Sequence, residues 1–258
     1  MTREETAAAG AMPMADYLAR GGVLTAPGNV PPRVRAELLR LMSSFVDSEL
    51  AGSAGFADAI NRAPGIKERI AASRIVLEKA DHAERVLVLM AEFGTDTGRY
   101  ERAHDWSARV PRDTEIAAAR QGGDARLSVF HYPLEGWTDA VVMNVLMGLA
   151  TCVQLEEAAR VAYQPLADAM RGIAPRERRH MELGLEGLGR ITAGEGTDAA
   201  QAAVRYWWPR VAASFGPAGS DRFERLRAMG LRHEPNEALR ARWEAAARAA
   251  LAGHGLAA

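Results

Sequence analysis

The chain contains no run longer than a few residues with the alternating β-branched or aromatic pattern of a strand. Apolar residues instead recur at helical spacing, as Leu38, Leu41 and Phe45 do. We therefore predict an all-α protein, with Asn236 as the N-cap of its last helix. The predicted helices span about residues 33–51, 66–93, 136–162, 175–193, 200–214 and 236–251.

The four longest predicted helices form two pairs, separated by a polar connection over residues 95–135. Two helices, a wide crossover and two more helices are typical of a four-helix bundle, here with additional C-terminal helices. Proline and glycine interrupt the first 30 residues, so we expect residues 1–30 to be a flexible N-terminal arm. Residues 31–258 then form a single helical domain.

Charge and cysteine content exclude several functional classes. The 258 residues include 32 basic and 33 acidic side chains, which leaves no basic excess for nucleic acid or an anionic membrane. The single cysteine, Cys152, excludes a disulfide framework and a cysteine-based metal site. The apolar run 140–155 is shorter than a membrane span and predicts a buried helix. We expect a cytoplasmic protein.

Glu177 and His180 are three residues apart, so both side chains lie on one face of a helix and can bind the same ion. This pair alone is weak evidence. Glu49 lies on the apolar stripe of the first long helix, and His82 lies in the second. Lys79 stands three residues before His82, where a paired glutamate would stand. It is one of two lysines in a chain with 30 arginines.

In their order and spacing, these residues and several aromatic segments resemble the phenylacetic acid catabolic protein family. The resemblance is greatest to the catalytic epoxidase subunits, which are ferritin-like di-iron monooxygenases acting on phenylacetyl-CoA. It covers roughly residues 33–250. The matching segments are Asp47-Ser48-Glu49-Leu50, Arg62-Ala63-Pro64, Asp81-His82, Phe130-His131-Tyr132-Pro133, Tyr163-Gln164-Pro165, Glu177-Arg178-Arg179-His180 and Arg205-Tyr206-Trp207-Trp208-Pro209.

The resemblance implies six iron ligands, and four of them keep a ligating side chain here. The four retained ligands are Glu49, His82, Glu177 and His180. Two positions depart from the family: the paired glutamate is Lys79, and the carboxylate of the third helix falls near Gly148, unless a small alignment gap brings in another residue. The cofactor implied by resemblance is a di-iron centre, and the departures leave one metal ion, or none, as alternatives.

Lys79 has two interpretations. Its ammonium could take the place of a cation and pair with Glu49 and Glu177, which would otherwise be uncompensated buried carboxylates. Desolvation could instead lower its pKa and make it a catalytic base or nucleophile. We favour the ion pair, because neighbouring carboxylates raise the pKa of a lysine.

Other acidic residues are predicted to stay out of the site. Glu78 and Asp81 are each one residue from a ligand position, a turn of about 100°, and should face away from the core unless a π-bulge rotates them. Glu156 and Glu157 lie about two turns beyond Gly148, which is too far along the axis.

Three functional hypotheses remain open. The first is an oxygenase acting on an acyl-CoA or aromatic substrate, with partner subunits and a separate reductase. The second is a catalytically silent structural or regulatory subunit, and the third is an enzyme using one metal ion or Lys79 itself. Each is compatible with a homo- or hetero-oligomer. Arginines 176, 178 and 179 either contact a CoA phosphate or form a solvated helix face.

Overall fold

The computed structural model describes residues 12–116 and 123–258. Within these ranges the chain is all-α, as predicted, and contains no strand beyond an isolated bridge between Leu24 and Tyr163. The α-helices, in chain order, are α1 Met14–Ala19, α2 Pro32–Ala59, α3 Ile66–Glu92, α4 Thr97–Tyr100, α5 Trp137–Ala158, α6 Gln164–Gly194, α7 Asp198–Ala213, α8 Asp221–Ala228 and α9 Asn236–Ala252.

Two helical hairpins form a ferritin-like four-helix bundle. Helix α2 packs along α3, and α5 packs along α6. Contacts of α3 with α6 and of α2 with α5 join the hairpins. The crossover between α3 and α5 contains the short α4 and a 3-10 turn, Ser128–His131. The C-terminal helices α7 and α9 cover the outer side of α5.

Helix α5 is the most apolar helix of the bundle. By length and composition it could cross a membrane, but 72% of its most apolar 18-residue stretch is buried inside the protein. Trp207 and Trp243 cover it, and their indole nitrogens donate to Asp139 and to the Leu146 carbonyl. The burial is that of a core helix.

Two helix boundaries differ from the predicted ones. Helix α2 continues through Gly52 to Ala59, because this glycine allows close packing: a Cβ there would lie 3.3 Å from Lys79 Cδ and from Phe130 Cε1. Helix α6 begins at Gln164 and contains Pro175 inside it, since its buried face is continuous across the proline.

Asn236 is not the N-cap that the sequence predicts. Pro235 holds the cap position of α9, and Asn236 is the first helical residue. Its side chain donates to the Pro217 carbonyl and accepts from Arg232. The amide therefore ties the helix start to neighbouring loops instead of capping it.

Of the N-terminal arm predicted over residues 1–30, residues 1–11 lie outside the described residues. Residues 12–23 are largely exposed, whereas Leu24 and Val30 are buried. Leu24 exchanges backbone hydrogen bonds with the chain around Tyr163, donating to Ala162 and accepting from Gln164. Leu24 and Val30 are thus packed against the helices.

Gly148 allows α5 and α6 to approach closely, since a Cβ at this position would lie 2.8 Å from Met181 Cβ. We predict that Gly148→Ala lowers the free energy of unfolding by about 1–3 kcal/mol through overpacking. Gly172→Ala, on the exposed side of α6 with no atom nearer than 3.9 Å, is the matched control and should gain about 0.5–1 kcal/mol. Chemical denaturation measures both. Equal effects at the two glycines would contradict the packing argument.

Candidate functional site

Three helices of the bundle bring five buried polar residues together at one level. Glu49 comes from α2, Lys79 and His82 come from α3, and Glu177 and His180 come from α6. All five are at most 5% exposed. These are the sequence-predicted site residues, which lie far apart in the chain. We call them the central cluster.

Lys79 lies between the two carboxylates of the central cluster. Its Nζ is 3.0 Å from Glu49 Oε1, 3.0 Å from Glu177 Oε1 and 3.1 Å from Glu177 Oε2. The ammonium therefore donates to both carboxylates. Gly52 on α2 makes room for the alkyl chain of this lysine.

His82 contacts the same two carboxylates from the next turn of α3. Its Nδ1 is 3.1 Å from Glu49 Oε2 and 3.1 Å from Glu177 Oε1. A proton on Nδ1 can be shared between these oxygens. Nε2 of His82 is buried and has no hydrogen-bond partner among the described residues.

His180 links the central cluster to its edge. Its Nδ1 is 3.2 Å from Glu177 Oε1, and its Nε2 is 2.7 Å from Glu78 Oε2. The prediction that Glu78 stays out of the site is therefore wrong, although α3 has no π-bulge. The glutamate side chain is long enough to reach His180 from the helix flank, where it is 25% exposed. Asp81 does stay outside and pairs with Arg85 and Arg176.

Helix α5 contributes no carboxylate to the central cluster. Gly148 packs on Met181, and Asn144 donates to the His180 carbonyl at 2.8 Å, which holds the backbone of the site. Glu157 accepts from the backbone nitrogens of His233 and Glu234. Helix α5, which forms the fourth side of the site, is thus neutral at the level of the central cluster.

Burial and charge act in opposite directions on the ionisable groups. Burial favours neutral forms, but the charges of Glu177 and Glu49 outweigh it for Lys79 and raise its pKa above the ordinary 10.5. Burial also opposes the charge on Glu177, yet Lys79 and hydrogen bonds from the two histidines hold its pKa well below 4.5. Hydrogen bonds to Glu177 and Glu49 raise the pKa of His82 above 6.5 against its burial.

A metal ion has one candidate ligand set among the described residues. Glu49, His82 and Glu177 each offer a ligand atom, and these atoms lie within 4.8 Å of one another. A pair of metal ions fits poorly, because the Lys79 ammonium has no lone pair and occupies the carboxylate oxygens that would ligate them. The packing of Gly148 on Met181 also leaves no space for a carboxylate side chain at position 148 of α5.

An apolar cavity of about 160 Å³ adjoins Glu49. It is close in size to the ~150 Å³ engineered cavities that bind benzene. Sequence reasoning missed this cavity, because its lining residues have the same helical spacing as core residues. The apolar lining includes Leu41, Phe45, Phe130, Met147, Leu166 and Met170.

A larger groove of about 750 Å³, with mixed polar and apolar walls, shares a wall with the apolar cavity. Leu41, Ser44, Leu127 and Arg232 line both spaces.

The arginines singled out on α6 line neither space. They form ion pairs instead: Arg176 with Asp81, Arg178 with Glu156, and Arg179 with two glutamates.

Two comparisons with known proteins are informative. The family model described as phenylacetic acid catabolic protein matches residues 14–258. A 1,2-phenylacetyl-CoA epoxidase subunit from Escherichia coli (strain K12) is 25% identical over 193 residues, which cover 73% of this chain. The aligned part is 57% of the length of that relative, so the chain matches little more than half of it.

Removing the lysine charge should leave the buried carboxylates of Glu49 and Glu177 without their ammonium partner. We predict that Lys79→Met lowers the free energy of unfolding by about 3–5 kcal/mol. Lys67→Met is the matched control, because Lys67 is the other lysine and is exposed on the same helix; it should change stability by less than about 0.5 kcal/mol. Denaturant titration of both variants makes the comparison. A loss of less than about 1 kcal/mol at position 79 would show that the ion pair is not structural.

The central cluster should make stability depend on pH. The raised pKa of His82 gives a contribution that is complete below pH 6.5 and is lost as pH rises through the folded-state value. The lowered pKa of Glu177 gives a contribution that is present above pH 4.5 and is lost as pH falls through the folded-state value. We expect the cluster to stabilise most between pH 4.5 and 6.5.

Unfolding free energies across this pH range check the prediction, with His82→Asn as the comparison. The decline above pH 6.5 should become shallower in the variant. An unchanged slope would assign the decline to other groups.

Proposed function

The chain belongs to the phenylacetic acid catabolic protein family, and on this premise we propose that it is a non-oxygenating subunit of an aromatic acyl-CoA oxygenase assembly. The ammonium of Lys79 takes the place of metal charge at its centre. One observation carries the proposal: Lys79 Nζ donates to Glu49 and Glu177 at 3.0 Å each, inside the four-helix bundle. The relative named above, from 1,2-phenylacetyl-CoA epoxidase, provides the substrate class.

The charge balance supports this role. Two ferrous ions bring four positive charges, which di-iron bundles balance with four carboxylates. Here Glu49 and Glu177 contact one ammonium and the Nδ1 of His82, while Glu78 lies at the rim against His180. One or two positive charges therefore balance the negative charge of the two buried carboxylates. The four positive charges of two ferrous ions would exceed it. A site balanced in this way needs no metal to be stable.

Lys79 is a poor candidate for a catalytic base. General-base catalysis requires a neutral amine, and the carboxylates that contact Lys79 raise its pKa instead of lowering it. The contacts that hold the ammonium also leave it no free direction toward a substrate carbonyl. We therefore place Lys79 in a structural role.

The chain keeps features that suit an acyl-CoA oxygenase assembly. The apolar cavity beside Glu49 has the size and lining for an aromatic ring, and the larger groove beside it includes arginine and serine side chains among its walls. We propose that the chain works in the cytoplasm with a reductase and with a homologous subunit that bears the metal. In this assembly, the homologous metal-bearing subunit carries out the oxygenation.

A second function is favoured by one observation. The ligand atoms of Glu49, His82 and Glu177 lie close enough to hold a single ion, with Nε2 of His82 otherwise unpartnered among the described residues. A mononuclear iron, zinc or manganese site would require Lys79 to leave the carboxylates. The chain would then be a metal-dependent enzyme of altered chemistry.

Elemental analysis of the purified chain, produced in iron-supplemented medium and then exposed to ferrous iron, separates these functions. We expect far less than one metal ion per chain. Lys79→Glu restores a carboxylate and should raise iron content several-fold, whereas Lys67→Glu should not. About one ion per wild-type chain would favour the mononuclear site, and about two would overturn the proposal.

A further inference from the structure

Helix α3 presents an apolar stripe on the side opposite the central cluster. Ile66, Ile70, Leu77 and Val88 are 75%, 56%, 70% and 58% exposed. At about 100° per residue, their directions around the helix axis agree within about 40°. The stripe is about 33 Å long. Exposed apolar surface of this extent on one helix marks an interaction site.

We propose that this stripe, which we call the α3 stripe, binds the α3 stripe of a second copy of the chain in antiparallel orientation, with a two-fold axis at Leu77. Residues at equal distances before and after Leu77 then lie opposite each other. Ile66, eleven residues before Leu77, meets Val88, eleven residues after it. Leu77 meets its own equivalent. Three of the four apolar positions thus meet apolar partners when the helix is reversed, as an isologous interface requires, while Ile70 meets Glu84.

Charge along the exposed side of α3 favours the same orientation. The half before Leu77 carries Lys67 and Arg74, and the half after it carries Asp81 and Glu84 together with one cation, Arg85, which pairs with Asp81. Antiparallel packing places Arg74 next to Asp81 of the other copy, one residue from direct opposition. Parallel packing would place like charges side by side, which is unfavourable.

Two of these charged residues have no ion-pair partner among the described residues of one copy, whereas Asp81 already pairs with Arg85 and Arg176. Arg74 and Glu84 are exposed and form no ion pair within the described part of the chain. Glu84 falls opposite Ile70, one position from Arg69, whose guanidinium can neutralise it. This arrangement favours a second copy, because Ile66, Leu77 and Val88 match themselves when the helix is reversed.

Cysteine cross-linking tests the register. In a Cys152→Ser background, Leu77→Cys should form a disulfide-linked dimer under mild oxidation, because the axis brings the two Cβ atoms close together. Ile70→Cys is the matched control on the same stripe. The two copies of position 70 would be about 21 Å apart along the helix axis, so these cysteines should not cross-link. Equal cross-linking at both positions, or none at position 77, would overturn the register.

Sedimentation of the full-length chain over a concentration series tests the association itself. We expect a reversible dimer whose dissociation constant rises about tenfold or more in Leu77→Arg. Val23→Arg, an exposed apolar residue outside α3, is the control and should leave it unchanged. A wild-type monomer at all concentrations, a dimer that Leu77→Arg leaves intact, or an effect of Leu77→Arg only on binding to a different protein would each reject a second copy as the partner.

Discussion

The ion pair between the Lys79 ammonium and the carboxylates of Glu49 and Glu177 joins three helices at the centre of the bundle. Two buried carboxylates a few ångströms apart repel each other and resist leaving water, so this part of the core needs a positive charge. Lysine supplies it from within the chain. That requirement accounts for the raised pKa of Lys79 and the lowered pKa of Glu177, and for the nearby histidines. It also accounts for the close approach of the Lys79 side chain to Gly52.

Much of this architecture can be predicted from the sequence, because helical periodicity and the order of motifs are local signals. Helix ends are harder to predict. Gly52 and Pro175 are helix breakers by propensity, but both lie inside helices because tertiary packing outweighs local preference. The crossover from residue 95 to residue 135 carries no strong periodicity, so its short helix and turn cannot be located from the sequence.

The central cluster is predictable as a set of residues but not as a network. Sequence spacing indicates which helix face a residue occupies, and this brings Glu49, Lys79 and His82 together. It does not give the reach of a long side chain. Glu78 contacts His180 from the helix flank for that reason. The cavity beside Glu49 is equally hidden, because a residue that lines an empty space has the same spacing as one that fills the core.

The close contact between Gly148 and Met181 has an evolutionary consequence. Exchanging Lys79 for glutamate would add one carboxylate, but a second at position 148 of α5 would require α5 and α6 to move apart. Each change alone is costly: the first leaves an excess of buried negative charge, and the second breaks the packing. A chain with this packing therefore cannot acquire carboxylates at both positions through single substitutions that each preserve its stability.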